Sequence, residues 1–196
     1  EGPPDDRFLY LSDVLPTAYQ SVRYADVAGD DVLLVMGAGP IGDMAARIAM
    51  NEGRRVIVAD SVPERLSRVA SRGAETINID AVDDVGDEVR DRTGGRGADA
   101  VIDAVGMEAH GNPVAEKVIK AVGLLPDRIA EPMMKKVGID RLAALNTSFD
   151  AVRRGGTVSI IGVYGGATSP MPLMQMFDKQ LQVRMGQANV RHWSDE

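Results

Sequence analysis

Residues 32–53 read VLLVMGAGPIGDMAARIAMNEG, an apolar run, three spaced glycines and an amphipathic helical pattern. The run at 32–36 is typical of a buried strand, and Gly37, Gly39 and Gly42 have the G-x-G-x-x-G spacing. In such a turn the first glycine allows a tight bend, the second lets a pyrophosphate approach the backbone, and the third lets the helix pack on the strand. The free N–H groups at the helix start favour a phosphate. The stretch predicts a strand, a dinucleotide-binding turn and a helix.

The next apolar run, at 55–60, ends in Asp60, eighteen residues after Gly42. A carboxylate in this place accepts hydrogen bonds from the adenosine ribose hydroxyls, and it repels a 2′-phosphate. We therefore expect NAD as the cofactor rather than NADP. The alternative is a glycine-rich turn followed by an acid that only caps the next helix, in DSVPERL at 60–66.

The rest of the chain continues this alternation, which predicts an α/β fold with helices on both faces of a parallel sheet. We expect a doubly wound Rossmann sheet of six strands in the order 3-2-1-4-5-6, with a helical insertion at about 107–145 between the fourth and fifth strands. Strands are predicted at about 32–36, 55–60, 75–79, 98–104, 157–163 and 181–186. Helices are predicted at about 40–52, 63–72, 83–93, 113–122, 127–137, 140–154 and 172–179.

The composition excludes several kinds of protein. A net charge of -7 over 196 residues argues against a nucleic-acid partner, which needs a basic face. Because the chain has no cysteine, it can form neither a disulfide nor a thiolate metal site. No apolar run approaches the roughly 20 residues of a membrane span, and the first residues lack the pattern of a signal peptide. We therefore expect no membrane contact and a cytoplasmic location.

Three other classes of protein begin with a similar turn. A methyltransferase also has a glycine-rich first turn and a later acid, although the third glycine is less expected there. A short-chain reductase needs Tyr-x-x-x-Lys, and none of the four tyrosines has a lysine four residues later, which excludes that class. A regulatory or sensor module that binds NAD without catalysis stays open.

Four motifs in this order, VLLVMGAGPIG, VIVADSVPERL, GADAVIDAVGMEAHG and RRGGTVSIIGVYGG, carry a resemblance to a known family. They resemble the coenzyme-binding domain of the medium-chain, zinc-dependent alcohol dehydrogenases, most closely the formaldehyde-dehydrogenase-like branch. The resemblance runs from about Ser12 to Asp195. It implies an oxidoreductase that transfers hydride from a small alcohol or aldehyde to NAD, with the catalytic domain absent from this chain. Residues 1–26 would be a lead-in segment and helix from that domain, and 27–196 the NAD-binding domain.

The resemblance also implies a cofactor-binding set. In it, Ile41 lies behind the nicotinamide ring, Asp60 binds the adenosine ribose, and Arg65 lies beside the adenine. The alternative for Arg65 is a solvated charge on a helix. The implied cofactor-binding residues are Gly37, Gly39, Pro40, Ile41, Gly42, Asp60, Arg65, Val105, Gly106, Gly162, Val163 and Tyr164.

Asp13, in LYLSDVLPTAYQS at 9–21, raises a separate question. Local pattern alone predicts a helix N-cap. The resemblance implies instead a catalytic zinc ligand, with Thr17 a catalytic residue near the nicotinamide and the substrate. Since a catalytic zinc site uses three protein ligands, we expect zinc only in a full-length enzyme. We expect this fragment to bind NAD but to lack dehydrogenase activity on its own.

The last part of the chain predicts contacts rather than chemistry. His110 and His192 have no second histidine at ligand spacing and are poor candidates for a metal or a catalytic base. Trp193 is expected to pack against a neighbouring surface. The strand at 181–186 would be the open edge of the sheet, and the resemblance implies a homodimer formed along it.

Overall fold

The computed structural model describes residues 4–106, 142–164 and 171–194. The helices predicted at 113–122 and 127–137, nearly all of the 107–145 insertion, and His110 lie outside the described residues. The described α-helices are α1 Val14–Ala25, α2 Pro40–Asn51, α3 Pro63–Ala70, α4 Val85–Arg92, α5 Ala143–Ala151 and α6 Leu173–Asp178, with 3-10 helices at Asp5–Ser12 and Ile79–Ala81. The strands are β1 Val32–Met36, β2 Arg55–Asp60, β3 Glu75–Asn78, β4 Ala98–Asp103, β5 Val152–Ile160 and β6 Gln182–Met185.

The six strands form one parallel sheet in the order β3-β2-β1-β4-β5-β6, which confirms the predicted topology. β1 and β4 lie at its centre, and all their residues are buried. The chain leaves β1 toward β2 on one side and returns to β4 on the other. In a sheet of this kind, the carboxyl ends of these neighbouring strands open a crevice where ligands bind.

Apolar side chains cover both faces of the sheet. Leu33 of β1 packs with Ala18 of α1 and Ala45 of α2 in one core. Leu34, the next residue of β1, packs on the opposite face with Phe149 of α5. Successive strand residues point to opposite faces, so a continuous apolar run such as VLLVM can fill two cores at once. This arrangement confirms the predicted helices on both faces.

Polar contacts show how α1 is oriented. The side-chain amide of Gln20 donates to the carbonyl of Gly186, 3.1 Å away, just beyond the carboxyl end of β6. Further along α1, Arg184 within β6 donates to Asp26 at 2.8 Å. The helix therefore runs opposite to the strands, and its first turn points toward the carboxyl edge of the sheet. Its residue Val22 is buried in the core, while the predicted domain division at residue 26 stays a prediction.

The fifth strand differs most from its predicted bounds. Predicted at 157–163, it spans Val152–Ile160. It begins earlier because its register against β4 shifts, with Gly155 at a φ of 70°. It ends earlier because the next two backbone N–H groups donate to the carbonyl of Asp103. The helix predicted at 140–154 therefore ends before the strand starts.

The C-terminal described segment packs against α1. The indole N–H of Trp193 donates to Gln20, 3.0 Å away, and its ring meets the Tyr19 ring edge-on at 5.4 Å. The ring of His192 lies 4.4 Å from that of Trp193. Trp193 thus packs on a helix of its own chain.

No described helix has the length and apolar character needed to cross a membrane.

Candidate cofactor-binding site

The turn after β1 requires glycine at its first and third positions. Gly37 has a φ of 93°, in the left-handed region that favours glycine. A Cβ built on Gly42 would lie 1.9 Å from the carbonyl oxygen of Gly37, so any side chain there would push α2 away from the turn. These two glycines bring the start of α2 directly against the end of β1.

The second position of the turn is different. A Cβ built on Gly39 meets no described residue within 4 Å apart from its two chain neighbours, and its φ of -67° is open to any residue. The fold therefore does not require glycine here. Pro40 opens α2, and Gly39 provides no side-chain cap, so the first N–H groups of the helix, such as that of Ile41, remain available to a ligand. This combination leaves space and donors for an anionic group.

Asp60 is buried at the end of β2 and faces the same turn. One carboxylate oxygen accepts the N–H of Ala38 at 2.6 Å, and the other accepts the N–H of Val62 at 2.8 Å. The N-cap residue of α3 is Val62, so Asp60 is not the helix cap of the alternative interpretation. Each carboxylate oxygen has two lone pairs, which leaves one on each for a ribose hydroxyl.

Two arginines of α3 contact Asp60 or its partner Ala38. Arg65 is half-exposed, and its guanidinium lies 3.7 Å from Asp60. Arg68 donates to the carbonyl of Ala38 at 3.3 Å. Ala38 is thereby held at its N–H by Asp60 and at its carbonyl by an arginine that sequence reasoning missed. Its position three residues after Arg65, on the same helix face, was the available signal.

The turns after β4 and β5 complete this edge of the sheet. A Cβ on Gly162 would lie 2.2 Å from the nitrogen of Gly106, so the two turns touch through their backbones. Val105 contacts the first turn, since its side chain lies 3.1 Å from a Cβ built on Gly37. Val163 is exposed. We call the edge formed by residues 37–42, 60–65, 104–106 and 161–164 the cofactor groove.

Asp103 underlies the turns after β4 and β5, and sequence reasoning missed it. It is fully buried and accepts a hydrogen bond from the hydroxyl of Tyr164. Burial raises the pKa of the Asp103 carboxyl, although its hydrogen-bond donors oppose the rise. Burial and the nearby carboxylate raise the pKa of the Tyr164 hydroxyl, which therefore stays protonated and donates. Asp103 is the second of two acids in the otherwise apolar stretch ADAVIDAVG, and a charged residue within a run predicted to be buried was the signal.

Asp13 and Thr17 contact each other at the start of α1. Asp13 occupies the N-cap position, but its carboxylate caps no backbone N–H and accepts the Thr17 hydroxyl at 3.0 Å instead. Among the described residues, no group of three or more His, Cys, Asp or Glu side chains could hold a metal ion. A catalytic zinc needs three protein ligands, so the described residues alone do not fit zinc.

The chain is similar to known dehydrogenases. The family of zinc-binding dehydrogenases matches at residues 40–123. An uncharacterised zinc-type alcohol dehydrogenase-like protein of Bacillus subtilis is 33% identical over 192 residues, covering 97% of this chain and 47% of that protein. The chain is a homologue of zinc-type alcohol dehydrogenases.

Other relatives of this chain support the predicted formaldehyde-dehydrogenase-like branch. The formaldehyde dismutase of Pseudomonas putida is 31% identical over 94% of this chain and 44% of its own length. The structure of an alcohol dehydrogenase from Thermus sp. ATN1 superposes with a TM-score of 0.75 at 31% identity, over 98% of this chain and 48% of that one. This chain thus spans less than half of the length of these relatives.

The groove residues fit a dinucleotide. The open surface at Gly39 and the helix start suit a pyrophosphate, and the buried carboxylate of Asp60 suits a ribose. All the residues predicted to bind the cofactor lie at or just beyond the carboxyl ends of β1, β2, β4 or β5, which meet at one edge of the parallel sheet. Asp13 and Thr17 lie on the turn of α1 that points toward this edge.

Proposed function

We propose that this chain binds NAD(H) in the cofactor groove and forms the coenzyme half of a zinc-dependent oxidoreductase. The full-length protein would transfer hydride between a small alcohol or aldehyde and NAD. The open space at Gly39 carries the proposal, because no contact among the described residues requires a glycine there, whereas a bound pyrophosphate would. The homology to alcohol dehydrogenases supports the reaction type.

In this proposal the chain positions the cofactor, and bound NAD supplies the hydride chemistry. The turn at Gly37–Gly42 and the start of α2 would hold the pyrophosphate through backbone N–H groups. Asp60 would accept the ribose hydroxyls while still holding the N–H of Ala38. Ile41 and the turns after β4 and β5 would orient the nicotinamide.

The cofactor preference follows from the charge of Asp60. Calorimetry should show NAD+ binding at least about tenfold more tightly than NADP+, because a 2′-phosphate would meet a buried carboxylate. Asp60→Asn should narrow this gap, and it keeps an oxygen that can accept the N–H of Ala38. Asp99→Asn, at the opposite end of the sheet, is the matched control and should leave the ratio unchanged. Tighter binding of NADP+ by the unmutated chain, or no binding of either nucleotide, would refute the proposal.

The metal role of Asp13 belongs to the full-length protein. There its carboxylate would be one of three zinc ligands, held in orientation by the Thr17 hydroxyl, and Thr17 would lie near the substrate. Asp13→Ala in that protein should remove zinc and turnover and leave NAD affinity nearly unchanged. Ser12→Ala, which removes a neighbouring hydroxyl bonded to Leu9, is the control. If the Asp13 variant keeps both zinc and rate, the assignment is wrong.

The chain alone should bind NAD without oxidising an alcohol, since the described residues contribute one zinc-type ligand at this place.

We also propose a homodimer along β6. β6 pairs with β5 on one side, and Met185 exposes an apolar side chain. An edge strand with unpaired backbone groups favours such pairing.

A further inference from the structure

Asp103 connects the backbone of two separate turns. One carboxylate oxygen accepts the N–H groups of Val105 at 3.0 Å and Gly106 at 3.4 Å. Its other oxygen accepts the hydroxyl of Tyr164, 61 residues later in the chain. The side chain therefore ties the turn after β4 to the turn after β5.

The main chain of Asp103 strengthens the same connection. Its carbonyl accepts the N–H groups of Ile161 at 3.0 Å and Gly162 at 2.9 Å. Gly106 lies against this second turn so closely that a Cβ on it would be 2.6 Å from the nitrogen of Val163. The backbones of the two turns are therefore in direct contact.

These turns lie beneath one half of the cofactor groove. The adenosine and pyrophosphate features, Asp60 and Gly39, follow β2 and β1. In a sheet of this order the dinucleotide crosses from β1 toward β4, so its other end extends over the turns after β4 and β5. We call residues 104–106 and 161–164 the nicotinamide half of the groove.

We propose that Asp103 and Tyr164 are positioning residues that hold the nicotinamide half of the groove in its binding shape, an inference that rests on the proposed NAD binding. A turn that is ordered before binding does not have to be ordered by the ligand, which raises affinity. A buried polar group that loses its hydrogen-bond partner is costly, so the bonds of Asp103 to both turns resist breaking.

The two side chains can be separated by substitution. Tyr164→Phe keeps the ring in the groove but removes the hydroxyl that donates to Asp103. The bonds from Val105 and Gly106 remain, and so do those from Ile161 and Gly162 to the Asp103 carbonyl, so only the side-chain connection to the turn after β5 is lost. Asp103→Asn replaces one carboxyl oxygen with an NH2 group, which donates instead of accepting, so the side chain can no longer accept from both turns.

The test compares two ligands, NAD+ and ADP-ribose, by calorimetry on the same chain. ADP-ribose contains the adenosine and pyrophosphate but lacks the nicotinamide. Tyr164→Phe should weaken NAD+ binding by about threefold to tenfold, the effect of one ordinary hydrogen bond. It should leave ADP-ribose affinity within about twofold. Asp103→Asn should change the ratio of the two affinities in the same direction.

Two matched controls separate positioning from general destabilisation. Tyr10→Phe removes a hydroxyl from an exposed tyrosine outside the groove. Asp99→Asn changes a buried carboxylate at the opposite end of β4. Both should keep the wild-type affinity ratio. An unchanged ratio in Tyr164→Phe, or the same loss in Asp99→Asn, would overturn the inference, and Tyr164→Phe decides alone if Asp103→Asn does not fold. If the unmutated chain binds neither ligand, the proposed function fails and takes this inference with it.

Discussion

Two single-methyl substitutions in the turn after β1 should have opposite effects. In Gly39→Ala the added methyl meets no atom of the described residues within 4 Å beyond its chain neighbours, and the backbone angles suit alanine. The free energy of unfolding should stay unchanged or rise by up to about 1 kcal/mol, because the unfolded chain loses entropy. NAD+ affinity should nevertheless fall at least about tenfold, since the methyl occupies space that a pyrophosphate needs.

In Gly42→Ala the same methyl meets backbone. Its Cβ would lie 1.9 Å from the carbonyl oxygen of Gly37, where ordinary contact begins at 3.4 Å, so α2 must retreat by about 1.5 Å. Overpacking of this kind costs about 3 kcal/mol, more than the roughly 1 kcal/mol that alanine gains in helix propensity. For a chain of this size, the net loss lowers the melting temperature by about 4–8 °C.

Thermal unfolding followed by circular dichroism, together with calorimetric titration of NAD+, distinguishes the two variants. Gly39→Ala should bind NAD+ more weakly and keep its melting temperature. Gly42→Ala should bind NAD+ more weakly and also melt at a lower temperature. If Gly39→Ala binds NAD+ with wild-type affinity, no phosphate lies against this residue and the proposed site is wrong. An unchanged melting temperature in Gly42→Ala would refute the packing argument.

Three further predictions concern other parts of the fold. Burial opposes the ionisation of Asp99, but hydrogen bonds from Val32 and Arg153 lower the pKa of its carboxyl. The ionised Asp99 therefore stabilises the folded chain above the unfolded pKa of 3.8, and this contribution is lost as the pH falls through the folded pKa. In urea unfolding, Asp99→Asn should therefore cost more at pH 7 than at pH 3, and an equal cost would contradict this. Gln20→Leu should release the single tryptophan from α1 and shift its fluorescence to the red, whereas an unchanged spectrum would exclude Gln20 as its anchor. Sedimentation at micromolar concentration should show a dimer that Val183→Pro abolishes, and a dimer that survives the proline would not use β6.

The fold class was predictable because its signals are local. Strand-length apolar runs, helical periodicity and the spacing from Gly37 to Gly42 belong to contiguous residues, and they determine which segments form strands and where the first turn lies. The bounds of β1 and β2 match the prediction, since both runs lie between clear turn residues. The sheet order also followed, because an alternating α/β chain has few allowed topologies.

Only the tertiary structure decided which polar side chains are partners. Asp103 contacts Tyr164, 61 residues later in the chain, and Gln20 contacts Trp193, 173 residues later. Local sequence patterns do not predict contacts between residues so far apart in sequence. The early end of β5 has the same origin, because it depends on the carbonyl of Asp103. A buried polar group must find a hydrogen-bond partner wherever packing places one. The sequence could therefore indicate the glycines of the groove, whereas the packed sheet alone brought together the groups that hold its turns in place.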